Sequence, residues 1–204
     1  MRVKLLTTFE HLDAMEYNAA YAMLTCHSNV ERLEHYPARD FIERAIKAEH
    51  ETILEHITLT YEVNDLSRAC LQELSRHRHI SLSVESTRHT LRKQCNKNFV
   101  DKHFPYRNGD FGMTYLKYVE AMHFIMFAQG HDTSKNDELK YFLPEFWPTN
   151  LVLTANIREL RHIIELRTAP AALKEFRQLA HEFVNVLPSS FKYLLEDCVY
   201  VDKK

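Results

Sequence analysis

Between Asp65 and Arg88 the chain reads D-L-S-R-A-C-L-Q-E-L-S-R-H-R-H-I-S-L-S-V-E-S-T-R. Arg76, His77 and Arg78 stand together, and Ser86, Thr87 and Arg88 follow a short alternating segment. Guanidinium groups offer paired donors that stay charged, so this set suits a phosphate or another oxyanion. By composition alone, the same residues also describe an ordinary solvated basic face.

Two further clusters carry similar chemistry. Glu51-Thr52-Ile53-Leu54-Glu55-His56 lies where a helix hands over to a strand, and its Thr52 and Glu55 serve either as turn and cap groups or as ligands. In Asn156-Ile157-Arg158-Glu159-Leu160-Arg161-His162-Ile163-Ile164-Glu165-Leu166-Arg167, Ile157, Leu160 and Ile164 form a buried stripe. There Arg158 and His162 share a face, while Arg161 and Glu165 read as a surface ion pair. In Asn136–Pro144, Lys140 reads equally as an exposed helix lysine or as a point charge for a phosphate. Glu120 with His123, and Glu159 with His162, have the E-x-x-H spacing of di-iron bundles. Thirteen histidines produce such pairs easily, and no metal is expected.

The elements that must position these groups follow from periodicity. Asp65 offers an N-cap to a helix marked by Leu66, Cys70 and Leu74, and Ile80, Leu82 and Val84 alternate as a strand. Val3–Thr7 reads as an edge strand, Leu12–Met23 and Ala38–His50 as helices, and Ile57–Val63 as the clearest strand. Gln94–Gly112 reads as a loop, Met113–Gln129 as a long helix, and Asn136–Phe142 as a short helix stopped by Pro144 and Pro148. Leu151–Thr154 completes the strands, and helices over Arg158–Leu166, Ala171–Val184 and Ser190–Val199 finish the chain. The expectation is a single α+β domain over residues 1–204, mostly helical around a small mixed or antiparallel sheet.

Composition narrows the function. The 204 residues have a net charge of −2, which gives no field to attract nucleic acid, so no nucleic-acid partner is expected. No stretch approaches membrane-spanning length, and the four scattered cysteines read as reduced thiols in a cytoplasm. The three glycines, Gly109, Gly112 and Gly130, exclude a G-x-G-x-x-G dinucleotide turn and a P-loop. Nor is there a nucleophile elbow for a serine hydrolase.

The order Arg76-His77-Arg78, then Ser86 and Arg88, resembles the signature of the flavin-dependent thymidylate synthases. Thr52, Glu55 and His56 resemble the segment of that family that touches flavin. Asn156, Arg158, His162 and Arg167 are similar to its second signature, and Lys140 to its phosphate-contacting position, where arginine is frequent. The resemblance implies a homotetramer with sites between subunits. It implies reductive methylation of dUMP to dTMP with FAD as cofactor and methylenetetrahydrofolate and NADPH as co-substrates. Carried over residue by residue, it puts Thr52, Glu55, Arg76, His77, Arg78, Asn156, Arg158 and His162 on FAD. It puts Glu73, Arg76, Ser86, Thr87, Arg88 and Lys140 on dUMP, and Arg167 on the uracil ring as the catalytic group. No cysteine nucleophile is required, so Ser86 is a substrate ligand.

The chain departs from the pattern in places. Val84 stands where much of the family carries Glu or Gln to meet flavin or nucleotide, so the polar contact to FAD or dUMP there is either missing or made by the backbone. His89 replaces a common Tyr, Ala171 a frequent His, and Thr25-Cys26-His27-Ser28 keeps only part of an N-terminal pattern. These leave open a relative that binds nucleotide without flavin or turnover.

Overall fold

The structure is a computed structural model and describes residues 1–94, 117, 120–121 and 136–201. In chain order, β1 (Arg2–Leu5), α1 (Phe9–Thr25), α2 (Ala38–Lys47), β2 (Thr58–Ser67), α3 (Arg68–Leu74), β3 (Ile80–Val84) and α4 (Thr87–Gln94) come first. Then come α5 (Asn136–Leu139), β4 (Pro148–Asn156), α6 (Ile157–Thr168) and α7 (Lys174–Asn185). Short 3-10 segments cover Val30–Glu34, Glu51–His56, Lys140–Phe142, Ser189–Leu194 and Glu196–Cys198. The expected loop from Gln94 and helix over Met113–Gln129 lie almost wholly outside the described residues, as do Cys95 and His123.

Two compact units result: Met1–Leu66 with Cys70–Ser83 and Asn150–Lys204, and Ser67–Ala69 with Val84–Thr149. The first holds most of a four-stranded sheet of order β1-β2-β4-β3. β1 pairs antiparallel with β2, Val3 opposite Val63, and forms the edge that its short β-branched run predicts. Between β2 and β4, Thr60 and Thr154 share a hydroxyl–hydroxyl bond of 2.9 Å, and Asn150 Oδ1 accepts from the Asp65 amide at 3.0 Å. Partner numbers running in opposite directions make that pair antiparallel too. The α+β class, helical around a small antiparallel sheet, is as the periodicity indicated.

Alternate residues of β2 enter the core: Leu59, Tyr61 and Val63 are buried, and Leu151, Leu153 and Ala155 of β4 continue the layer. Tyr61 stacks tilted on Phe183 of α7 with centroids 4.8 Å apart, and its hydroxyl donates to the Phe183 carbonyl at 3.1 Å. Phe41, Ile42 and Ala45 bury the apolar face of α2.

Several elements differ from expectation, each for a local reason. Asp65 does not cap a helix. It lies inside β2 with φ 60°, held by Asn150, and α3 starts only at Arg68. α2 stops at Lys47 because Glu49 turns left-handed at φ 57°, and the His50 amide reaches back to the Ala45 carbonyl at 2.9 Å. The helix expected over Ser190–Val199 is two 3-10 turns, with Leu195 between them at φ −132°. β4 is longer than Leu151–Thr154 because its first residue is Pro148, a position where a strand loses little without the amide.

In the second unit, the Arg68 and Ala69 amides donate to the Trp147 and Glu145 carbonyls at 3.0 and 2.8 Å. Among its described residues Leu91, Leu139 and Trp147 are buried apolar side chains, and Thr87 is buried at the start of α4.

Candidate active site

In the first unit, α3 ends at Leu74 and the chain tightens: the Arg76 and His77 amides donate to the Glu73 and Leu74 carbonyls at 3.3 and 3.1 Å. This turn sends Arg76 and Arg78 outward and His77 inward, where only 8% of it is exposed. The three residues that leave the helix together therefore divide into two surface cations and one buried imidazole.

Arg167 comes to meet that imidazole from the last turn of α6, a helix whose start is well defined. Asn156 is its N-cap, and Oδ1 accepts from the Glu159 amide at 2.8 Å. Arg167 Nε donates to His77 Nε2 at 3.1 Å, and Nη1 donates to Glu73 Oε2 at 2.9 Å. The guanidinium also lies 4.7 Å from the centre of the Phe176 ring on α7, a cation–π contact. Nη2 makes no hydrogen bond among the described residues. Behind His77, Glu159 Oε1 faces Nδ1 at 3.5 Å, and the rings of His162 and Phe176 approach edge-on with centroids 6.0 Å away. Burial, then the Arg167 guanidinium and His162, push the His77 pKa down to about 4, with Glu73 acting against them. The imidazole is thus neutral near pH 7.

Thr52, Glu55 and His56 are exposed on the 3-10 segment Glu51–His56, whose Ile53 and Leu54 anchor it in the core. Arg158 Nη1 reaches Glu55 Oε1 at 2.6 Å, with both side chains half exposed, and His162 is exposed on the same helix. Arg161 is not the surface partner of Glu165. It is buried, donating through Nε to Glu51 at 2.9 Å, through Nη1 and Nη2 to Asp197 at 2.7 and 2.8 Å, and to the Leu194 carbonyl. Burial opposes its charge, but the bonds to Asp197 and Glu51 outweigh burial and hold its pKa above the usual guanidinium value. A cavity of about 1050 Å³ opens beside this cluster, lined by Glu51, Arg161, His162, Glu165 and Asp197 among others.

In the second unit, Ser86 opens α4, and its carbonyl accepts from the amides of His89 and Thr90 at 3.1 and 3.0 Å. Arg88 Nε meets Asp137 Oδ1 at 2.6 Å, with both side chains more than half exposed. Lys140 is exposed in the following turn, Val84 is exposed at the end of β3, and Thr87 is buried.

The structure therefore joins Glu73, His77 and Arg167 directly, pairs Glu55 with Arg158, and uses Asn156 as a cap. Spacing did not single out Glu159, Phe176, Asp137 or Asp197 as partners. Only Glu159 carried a readable signal, its place three residues after an asparagine cap.

Residues 7–189 match the family model described as thymidylate synthase complementing protein. The chain belongs to this family. It is 36% identical over 171 residues to the flavin-dependent thymidylate synthase of Campylobacter jejuni (strain RM1221), a match that covers 76% of this chain and 78% of that one. It is 36% identical over 174 residues to the enzyme of the same name from Helicobacter pylori (strain J99), covering 79% and 82%. Among solved structures, thymidylate synthase X from Helicobacter pylori with FAD and dUMP superposes with a TM-score of 0.81 at 30% identity, covering 98% of this chain and all of the other. The family expected from the arginine signatures is the family found.

Proposed function

We propose that this protein is an FAD-dependent thymidylate synthase. It converts dUMP, methylenetetrahydrofolate, NADPH and a proton into dTMP, tetrahydrofolate and NADP⁺. The observation that carries the reading is the mounting of Arg167. Its guanidinium is fixed by Glu73, His77 and Phe176 while Nη2 remains available within the described structure. Carbon 5 of uracil becomes nucleophilic only as negative charge gathers on the ring oxygens and N3. A donor already held in place stabilises that charge without reorganising.

The donor set suits FAD. Arg158 and His162 are exposed on one helix beside the polar segment that carries Thr52 and Glu55, and Arg76 and Arg78 are exposed cations. These residues, with Asn156 and His77 in the same stretch of chain, are the proposed flavin-holding group. When bound, the flavin supplies the hydride. Glu73, Ser86, Thr87, Arg88 and Lys140 are the proposed dUMP ligands, with a backbone contact at Val84. Arg88 is an exposed guanidinium suited to a bidentate phosphate contact, and Lys140 adds an undirected charge.

The reading carries with it a cytoplasmic homotetramer with sites between subunits. Cys26 and Cys198, thiols in the described structure, suit a reducing compartment. No helix among the described residues is long and apolar enough to cross a membrane. The family match runs through both units, which supports taking 1–204 as one domain.

The test is tritium release from dUMP labelled at carbon 5, with FAD, NADPH and methylenetetrahydrofolate omitted in turn. Release that needs all three supports the synthase. Binding of dUMP and FAD without release would leave a nucleotide-binding relative in its place.

A further inference from the structure

The proposed reaction gives Glu159 no task, yet its carboxylate is held with the side chain only 10% exposed. Such burial is costly unless the group is partnered. A glutamate three residues after an N-cap commonly folds back onto the cap. Here the Glu159 amide bonds Asn156 Oδ1, while Oε1 stands 3.5 Å from His77 Nδ1, longer than a hydrogen bond but close enough for its negative charge to favour a proton there.

The opposite side of the imidazole settles where its proton sits. Arginine Nε carries a hydrogen and offers no lone pair, so in the 3.1 Å contact with Arg167 Nε, His77 Nε2 must be the acceptor. A neutral imidazole that accepts at Nε2 carries its proton on Nδ1, and that proton faces Glu159. Arg167 thus donates to both His77 and Glu73, the Glu159 carboxylate stands by the far nitrogen of the imidazole, and Phe176 lies against both His77 and Arg167.

We propose that Glu159 is a positioning residue for Arg167: by holding the His77 proton on Nδ1, it keeps Nε2 as the acceptor that fixes the guanidinium plane. The inference rests on the assignment of Arg167 to the uracil ring. Without Glu159 the proton is free to occupy Nε2, two N–H groups then oppose each other, and Arg167 leaves its seat. The groups facing His77 are Glu159, His162 and Arg167 from α6, Glu73 from α3 and the apolar Phe176 from α7, so Glu159 is the carboxylate on the Nδ1 side.

The experiment compares wild type, Glu159→Gln and Glu159→Leu in the full-length, flavin-loaded protein. Nitrogen-15 spectra of the histidine ring nitrogens near neutral pH report the tautomer, and steady-state kinetics are run in parallel. Wild type is expected to hold His77 protonated at Nδ1. The glutamine variant keeps a carbonyl acceptor and should retain that tautomer, with kcat within about three-fold of wild type. The leucine variant should populate both tautomers and lose about ten-fold or more in kcat per bound flavin, with KM for NADPH unchanged. A wild-type His77 protonated at Nε2 overturns the proposal, as does a leucine variant with wild-type tautomer and kcat. Wild-type protein without turnover, but with the expected tautomer change, would remove the synthase reading and leave the Glu159–His77 pair standing on its spectra.

Discussion

Arg161 on α6 and Asp197 in the last 3-10 turn are joined by two parallel hydrogen bonds, Nη1 to Oδ1 at 2.7 Å and Nη2 to Oδ2 at 2.8 Å. Two further donors of the same guanidinium go to Glu51 and to the Leu194 carbonyl. One buried side chain therefore ties the segment that carries Thr52 and Glu55, the helix that carries Arg158 and Arg167, and the end of the described chain. The planar fork of arginine is what allows three directions to be satisfied at once.

Asp197→Ala should therefore lower the free energy of unfolding by about 1–2 kcal/mol. The loss is smaller than for a fully buried pair because Asp197 is half exposed and Glu51 remains as a partner. Urea unfolding followed by circular dichroism measures it. A change below about 0.5 kcal/mol, the size usual for surface substitutions, would show that the pair is no more than a surface contact.

Tyr61→Phe should cost about 1 kcal/mol, since it deletes one buried hydrogen bond and leaves the Phe183 carbonyl without that donor. The ring pair with Phe183 is kept, so packing is unchanged. Burial pushes the Tyr61 hydroxyl above the usual phenol value, so the residue acts only as a neutral donor. An unchanged urea midpoint would mean that water replaces the hydroxyl at that carbonyl.

The fold was legible where a single period governed the chain. Strict alternation over Ile57–Val63 marks β2, and Ile157, Leu160 and Ile164 mark α6. It was less legible where tertiary contacts override local preference. Asp65 has the side chain of a helix cap but is held in β2 by Asn150, 85 residues away in sequence. Ser190–Val199 has helical composition but bends at Leu195, where the last turn meets Arg161 through the Leu194 carbonyl and Asp197. At the candidate site, the clustered residues were visible as motifs, but which of them turns inward was not. Arg76, His77 and Arg78 are equivalent on paper, and the turn after Leu74 decides that only His77 is buried. Arg161 next to Glu165 looked like a surface pair because partners at 51 and 197 leave no local trace.

His77 makes stability depend on pH in a defined window. Its pKa is about 4 when folded against 6.5 for the free side chain, so between these values the unfolded chain binds more protons. Stability from this group is complete above about pH 6.5 and is lost progressively as pH falls towards 4. His77→Gln, which cannot titrate, should flatten the urea midpoint against pH over that interval. Equal slopes for the two proteins would show that His77 is protonated as easily in the fold as outside it.

Arg167→Lys should lower kcat for dUMP about 100-fold or more, the loss usual for one preorganised donor to a developing oxyanion. A lysine keeps the charge and can still reach Glu73, so folding and the ion pair at 2.9 Å have a substitute. It cannot donate in a fixed plane to His77 and Glu73 while presenting a third N–H, and it loses the flat contact with Phe176. The decisive comparison is therefore between kcat and dUMP affinity. A fall in kcat with nearly unchanged dUMP binding would mark an interaction made mainly in the transition state, and a rise in KM alone would make Arg167 a simple binding residue. Full activity in the lysine variant would mean that charge suffices, and the geometry set by Glu73, His77 and Phe176 would then have no part in the reaction.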